Sequence, residues 1–365
     1  MDTVTIGLLL PTSSILPLAK DFDKGFQKGL KSIELETEIE IIREFVGQGN
    51  LSVTENALGK LFGYHGVDLV AGVISARVTE GIALKFKNKG VPFIFSELGA
   101  ALPDYSQLNE QIFINSFHLW QHAWAIGNWG VQTFGKKGMF IGSVYDAGYS
   151  FSHMFYEGMM AADSTSQWSF SVPPMPPKDS LSDMSIIFPY LETYQPDFIF
   201  AAFCGSETTL FLKEFISRGW HKKTKIIGLP FLLFPYNPLP EDITIYTTEL
   251  SAAGQSVVPE SSFYQLGFNA GTLVNESLQH HAGKSLQHAL QKHENVIAFG
   301  GINILTSPQQ EADTISFIEN KFNAGQTEKS SQPLASVKAL SVTDEKFLAN
   351  NHELKFGWMN PYLCI

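Results

Sequence analysis

Cysteine is scarce in this chain of 365 residues: Cys204 and Cys364 are the only two. No CxxC spacing occurs, so a zinc-type cluster of thiolates is excluded, while a disulfide between the two stays open. Cys204 closes the apolar run Phe198–Cys204 and reads as a partly buried thiol. Positive charge is also short. Lys and Arg number 25 against 36 Asp and Glu, a formal net charge of -11. The basic footprint that nucleic-acid binding requires is therefore missing. No uninterrupted apolar run reaches the roughly 18 residues of a membrane-spanning helix. No secretory signal precedes the first strand-like segment either, since Met1-Asp2-Thr3 leads directly into VTIGLLL.

The common catalytic and nucleotide motifs are missing too. There is no GxxxxGK(S/T), no GxGxxG after the first strand and no HExxH. GYSFS at 148–152 departs from the GxSxG elbow at Ser152. The histidines His280, His281, His288 and His293 fall on or near surface helices and read as solvated side chains rather than a metal set. No cofactor is expected, and catalysis has no visible constellation.

What is present is apolar material and rhythm. Hydrophobic residues make up 44% of the chain, charged residues 17%, and phenylalanine alone contributes 29 positions. That is enough for large cores, and the length favours two domains over one. Val4–Leu10 reads as a buried strand ending at Pro11. Leu18, Phe22, Phe26 and Leu30 then recur every four residues on one helix face. Strand Ile39–Phe45, helix Ala57–Phe62, strand Leu69–Ile74, helix Ile82–Phe86 and strand Pro92–Phe95 continue the alternation, with Gln111–Asn115 as a short further strand.

The rhythm restarts with helix Trp120–Phe134, strand Gly138–Val144 and helix Ser150–Ala162. After a proline-rich connector, SVPPMPPKD, it runs through Ile186–Tyr194, Phe198–Phe203, Glu207–Arg218 and Lys225–Leu229. Ile243–Thr248 reads as another strand, and Phe263–Gln279 and Ser285–His293 as helices. Two successive βαβ sets of similar size predict an α/β protein of two Rossmann-like lobes, each a parallel sheet covered by helices. A ligand cleft is expected between them.

In open parallel sheets ligands bind at the carboxyl ends of strands. Here those ends carry Ser13 within Pro11–Ser14, then Ser75, Ala76 and Arg77, then Glu97 and Gly99 within Ser96–Ala100. Ser75 serves equally as a helix N-cap, and a capped helix start is itself an anion site. Arg77 and Glu97 read more readily as solvent-facing. In the second set the ends are aromatic: Asp146 and Tyr149 lie in YDAGY, Glu207 follows Phe203 in FCGSE, and Phe231 lies in PFLLFPY. Trp120, opening the first helix of that set, adds a further ring. Aromatic walls bury much area and stack on flat ligands.

In order along the chain, IGLLLPTSS, FDKGFQKGL, VDLVAGVISARVTEGIALKFKNKGVPFIF, IFINSF, FGKKGMFIGSVYDAGYSFSHMFYEGM, YQPDFIFAAFCGSETTLFLKEFISRGW and FYQLGFNAGTLV form a set. The set resembles the type I periplasmic solute-binding proteins, in particular the branched-chain amino-acid binding family of ABC importers, to about residue 300. The resemblance implies two lobes joined by a three-segment hinge, with lobe 1 at 1–117 and 249–330 and lobe 2 at 118–248 and 331–365. It implies an exported protein, periplasmic or lipid-anchored, its signal preceding Asp2. The expected partners are a small-molecule ligand and the membrane subunits of an ABC permease. A monomer is expected, because hinge closure needs no second subunit.

The family's serine and threonine for a ligand carboxylate fall on Ala76 and Gly99, and its first-loop aromatic on Leu18. Its second-lobe tyrosine is matched by Tyr149 and the neighbouring strand end by Phe203. For the acid that holds an ammonium, Asp146 and Glu207 are the nearest alternatives. The ligand so implied is amino-acid-like, or an aromatic or apolar carboxylate or amide. A ligand-sensing receptor or regulator of the same fold, without transport, is the alternative.

Overall fold

The computed structural model describes residues 3–344 apart from 14–16, 33, 35–36, 144–149, 175, 178–179, 181, 235–237, 253–254, 280–284, 300, 307–313 and 327. The chain divides into two units, the first built from Met1–Phe117, Ser251–Gln310 and, among the described residues of the tail, 343–344, the second from His118–Leu250 and Glu311–Val342.

In the first unit the alternation read from the sequence becomes β1 (Val4–Leu10), α1 (Leu18–Leu30), β2 (Ile39–Phe45), α2 (Leu51–Lys60), β3 (Leu69–Val73), α3 (Ala76–Lys89), β4 (Phe93–Glu97) and β5 (Ile112–Ser116). Every residue of β3 and of β4 is buried, as continuous apolar strands under helices on both faces should be. The first seven-stranded sheet has the order β13-β14-β5-β4-β3-β1-β2, where β13 is Val296–Phe299 and β14 is Ile302–Leu305, while β11 (Leu250–Ala252) and β12 (Gln255–Val257) form a separate two-stranded sheet. All its pairings are parallel except β13 with β14.

The second unit repeats the plan. Its elements are α4 (Leu119–Phe134), β6 (Lys137–Gly142), α5 (Phe151–Ala162), β7 (Gln167–Ser171), α6 (Phe188–Tyr194), β8 (Phe198–Ala202), α7 (Gly205–Ser217), β9 (Lys225–Gly228) and β10 (Ile243–Thr248). A short 3-10 turn, Met184–Ile187, replaces the expected start of the α6 helix. The sheet order is β16-β15-β10-β9-β8-β6-β7, with β15 at Thr314–Phe322 and β16 at Lys329–Lys338. β15 runs antiparallel to β10, and β16 antiparallel to β15. The assignment of 249–330 to lobe 1 is corrected here for 311–330: β15 extends the second sheet. Of the tail assigned to lobe 2, residues 331–342 belong to the second unit, residues 343–344 fall in the first, which corrects the assignment there, and residues 345–365 lie outside the described residues.

Late in the chain, α8 (Ser262–Gln279) returns to the first unit and packs on α1, followed by α9 (Leu286–Gln291). The two helices meet backbone to backbone. A Cβ added at Gly25 or Gly29 would collide with the carbonyl oxygens of Tyr264 and Phe268, and one at Gly267 or Gly271 with those of Phe22 and Phe26. Asn275 Nδ2 locks the pair by donating to Leu30 O at 2.7 Å. α4 and α5 do the same in the second unit, where Gly127 faces the Phe155 carbonyl and Gly158 the Trp124 carbonyl.

Candidate functional site at the carboxyl ends of the first sheet

The polar end of the site forms where β3 and β4 finish side by side, Val73 opposite Ser96 in parallel register. β3 hands the chain to α3 through Ser75, the N-cap, whose Oγ accepts the Val78 N–H at 3.3 Å. The capping role expected of Ser75 is therefore present, and Ser75 is buried. Ala76, the first helical residue, donates its N–H to Glu97 Oε2 at 3.0 Å. Arg77 is exposed.

Glu97 overturns its sequence reading as a solvent-facing acid. It ends β4 with 4% exposure. Strand alternation at a sheet covered on both faces leaves no solvent side for it to reach. Burial pushes its carboxyl up to about 8, opposed by the Ala76 N–H and helped by the charge of Glu80. At neutral pH this acid largely keeps its proton. Gly99 follows in the left-handed region at φ +82°, buried, where glycine avoids the Cβ penalty of that conformation.

The loop after β4 is tied down from α3. Glu80 Oε1 accepts the Asp104 N–H at 2.8 Å. This sets Tyr105, 8% exposed, edge-on against Phe299 with ring centroids 6.2 Å apart. Tyr105 Oη and Thr79 Oγ1 are buried without a hydrogen-bond partner among the described residues. Burial first, then the negative charge of Glu97, raises the Tyr105 phenol above its ordinary range. Tyr105 and Thr79 were missed in the sequence reading. A Tyr directly after LPD carries no local signal that its hydroxyl is buried.

Other candidates fall elsewhere. Ser13 is half-buried after β1, and Leu18 is buried at the start of α1, in the helix face predicted for it. In the second unit Phe203 stacks on Phe211 with centroids 4.7 Å apart and belongs to a core with Phe215, Trp220 and Leu232. Phe231 and Trp120 are wholly buried. The reading of these rings as aromatic ligand walls stays an expectation, and Phe203 packs into the core of the second unit. Much of the phenylalanine excess is core packing too, as in the parallel stack of Phe86 on Phe93 at 4.5 Å.

Glu207, considered for a ligand ammonium, is committed to its own chain: Oε1 accepts from Ser182 Oγ at 2.5 Å and from Ser182 N at 3.4 Å. Ser182→Ala is expected to cost about 1–2 kcal/mol in urea unfolding, leaving Glu207 partly unsatisfied. A loss of solute affinity larger than the loss of stability would assign Glu207 to ligand binding instead. Asp146 and Tyr149 lie outside the described residues.

Among the described residues no group of three or more His, Cys, Asp or Glu could hold a metal ion. No described helix is long and apolar enough to cross a membrane. His293 Nε2 pairs with Glu276 Oε2 at 2.7 Å, a contact within the first unit. What the strand ends of the first sheet offer is hydrogen-bond recognition in a buried setting.

A family model described as periplasmic binding protein matches residues 3–244. No curated protein matches the chain. Among solved structures, an ABC transporter substrate-binding protein from Sphaerobacter thermophilus superposes with a TM-score of 0.70 at 15% identity, covering 93% of this chain and 99% of that one. A solute-binding protein of an ABC transporter from Rhodopseudomonas palustris, in complex with 3,4-dihydroxybenzoic acid, gives 0.69 at 18% identity, covering 95% and 100%. A leucine-binding protein from Thermotoga maritima gives 0.65 at 16%, covering 92% and 99%. With two βαβ units, the buried polar strand ends and a family match over most of its length, the chain belongs to the periplasmic binding protein family and has the type I fold.

Proposed function

We propose that this chain is an extracytoplasmic solute-binding protein, periplasmic or lipid-anchored, that delivers a small solute to the permease of an ABC importer. The solute is amino-acid-like, or an aromatic or apolar molecule ending in a carboxylate or amide. The observation that carries the reading is the buried polar cluster of Ser75, Ala76 and Glu97 at the carboxyl ends of β3 and β4, where open α/β sheets bind ligands. The solved relatives add support, their recorded ligands including 3,4-dihydroxybenzoic acid, 4-hydroxybenzoate and benzoate. The chain acts by binding rather than by catalysis, as a monomer.

Thermal unfolding against aliphatic amino acids, aromatic amino acids, aromatic acids, amides and amines tests this. A true ligand at 100 times its Kd adds about 2.7 kcal/mol. A clear rise in Tm is expected with one chemical group. A flat response across the whole panel would count against the aromatic and amino-acid-like reading.

A further inference from the structure

Glu97 stands where an anionic ligand group would otherwise be held. A helix start offers unpaired N–H groups and a positive dipole end, and so attracts negative charge. In α3 two of those donors are already engaged from within. Ser75 Oγ takes the Val78 N–H, and Glu97 Oε2 takes the Ala76 N–H. Two buried groups in this region, Tyr105 Oη and Thr79 Oγ1, have no hydrogen-bond partner among the described residues, and Tyr105 lies within the field of Glu97. The charge of Glu80 reaches Glu97 as well, while the neighbouring cation Arg77 is exposed. A carboxylate brought here would find the Ala76 N–H already taken by Glu97 and would meet the field of Glu80 in a desolvated setting, which is unfavourable.

We propose that the first unit reads the polar end of its solute as a hydrogen-bond donor, an ammonium or carboxamide N–H accepted by Glu97, and disfavours a carboxylate at that position. The inference rests on the solute-binding reading above and narrows its ligand class. An arriving ammonium converts Glu97 to its carboxylate and gains a charge-assisted bond. A carboxamide donates its N–H to the same oxygen, and Tyr105 Oη is a candidate donor to its carbonyl. The internal carboxyl keeps the Ala76 N–H satisfied in both the empty and the loaded protein.

The test compares benzylamine, benzamide and benzoate by calorimetry on the wild type, Glu97→Gln and Glu97→Ala. Wild type is expected to bind the amine and the amide at least about tenfold more tightly than benzoate. Glu97→Gln should lose about tenfold or more for benzylamine and keep benzamide. In Glu97→Ala the uncovered Ala76 N–H should accept a free carboxylate. Formate, against chloride at equal ionic strength, should then raise the Tm of the variant and leave the wild type unmoved. Benzoate binding to wild type as tightly as benzylamine would overturn the proposal, as would a Glu97→Ala protein indifferent to formate. If wild type takes none of the three aromatic probes while Glu97→Ala responds to formate, Glu97 keeps its assigned place and the aromatic reading of the solute falls. Should Glu97→Ala fail to fold, the benzylamine-to-benzoate ratio in wild type and Glu97→Gln decides the question, an unchanged ratio overturning it.

Discussion

Replacing Gly267 by alanine is expected to lower stability by about 2 kcal/mol and the Tm of the transition that includes the first unit by about 4–8 °C. Alanine ordinarily favours a helix over glycine by about 1 kcal/mol, so the expected sign runs against intrinsic propensity. The reason is the seam between α1 and α8. The added Cβ meets the Phe22 carbonyl oxygen and the Phe26 amide nitrogen, main-chain atoms of a helix that has no rotamer to change. Relief requires the helices to separate, and that opens space around Phe22 and Phe26, both wholly buried. Gly59→Ala in α2 is the control, because nothing lies within 4 Å of a Cβ there. It should raise stability by up to about 1 kcal/mol. Denaturant unfolding of the two variants side by side decides the matter. A Gly267→Ala protein as stable as wild type would show that the seam tolerates a methyl group, and the close approach would lose its energetic meaning.

The second large effect concerns pH. The Glu97 carboxyl is pushed up to about 8 in the folded chain, from an ordinary value of 4.5, chiefly by burial. Between those values the folded state holds a proton that the unfolded state has released, so stability falls as pH rises through this window. The penalty is absent below about 4.5 and complete above about 8. Its size is a few kcal/mol. Glu97→Gln, which cannot ionise, should remove that slope: near pH 5 it should match the wild type, and near pH 8.5 it should exceed it. Glu80, whose charge raises Glu97, and Tyr105, whose ionisation Glu97 opposes, both face this group and remain in the variant. His118 moves stability in another window. Burial lowers it to about 4, so its cost arises as pH falls from about 6.5 toward 4 and is shared by both proteins. Equal pH slopes for wild type and Glu97→Gln above pH 5 would mean that Glu97 is solvated in solution.

Ser75 shows what local sequence can establish. A hydroxyl residue between an apolar strand and an amphipathic helix is an N-cap by chemistry, and its Oγ does accept the Val78 N–H. Glu97, two dozen residues on, shows the limit. An acid after an apolar strand is usually solvated, and only the neighbouring start of α3, brought alongside by β3–β4 pairing, supplies the N–H that makes burial tolerable. The glycines of FDKGFQKGL and LGFNAGTL were visible as letters. Their role depends on two segments far apart in the chain meeting, which no local pattern encodes.

β16 is the clearest case of structure decided by a partner. KSSQPLASVK is mostly exposed and has no strand-like alternation of apolar residues. It is a strand because β15 offers it an edge. Pro333, opposite Ile318 next to a register shift, is tolerated because edge strands and bulges need not use every N–H.

By itself, then, the sequence determined the order of the parallel strands and helices in both units, apart from β7 and β14, and the buried face of α1, because apolar periodicity and caps are short-range properties. It also determined the resemblance through which the two-lobed fold was expected. The tertiary structure alone decided which side of the strand ends Glu97 faces, whether Phe203 and Phe231 belong to the core, and where Thr314–Phe322 and Lys329–Lys338 pair. Each of those outcomes depends on a surface supplied by residues distant in the chain, and the free energy of burying a group is not defined until that surface is present.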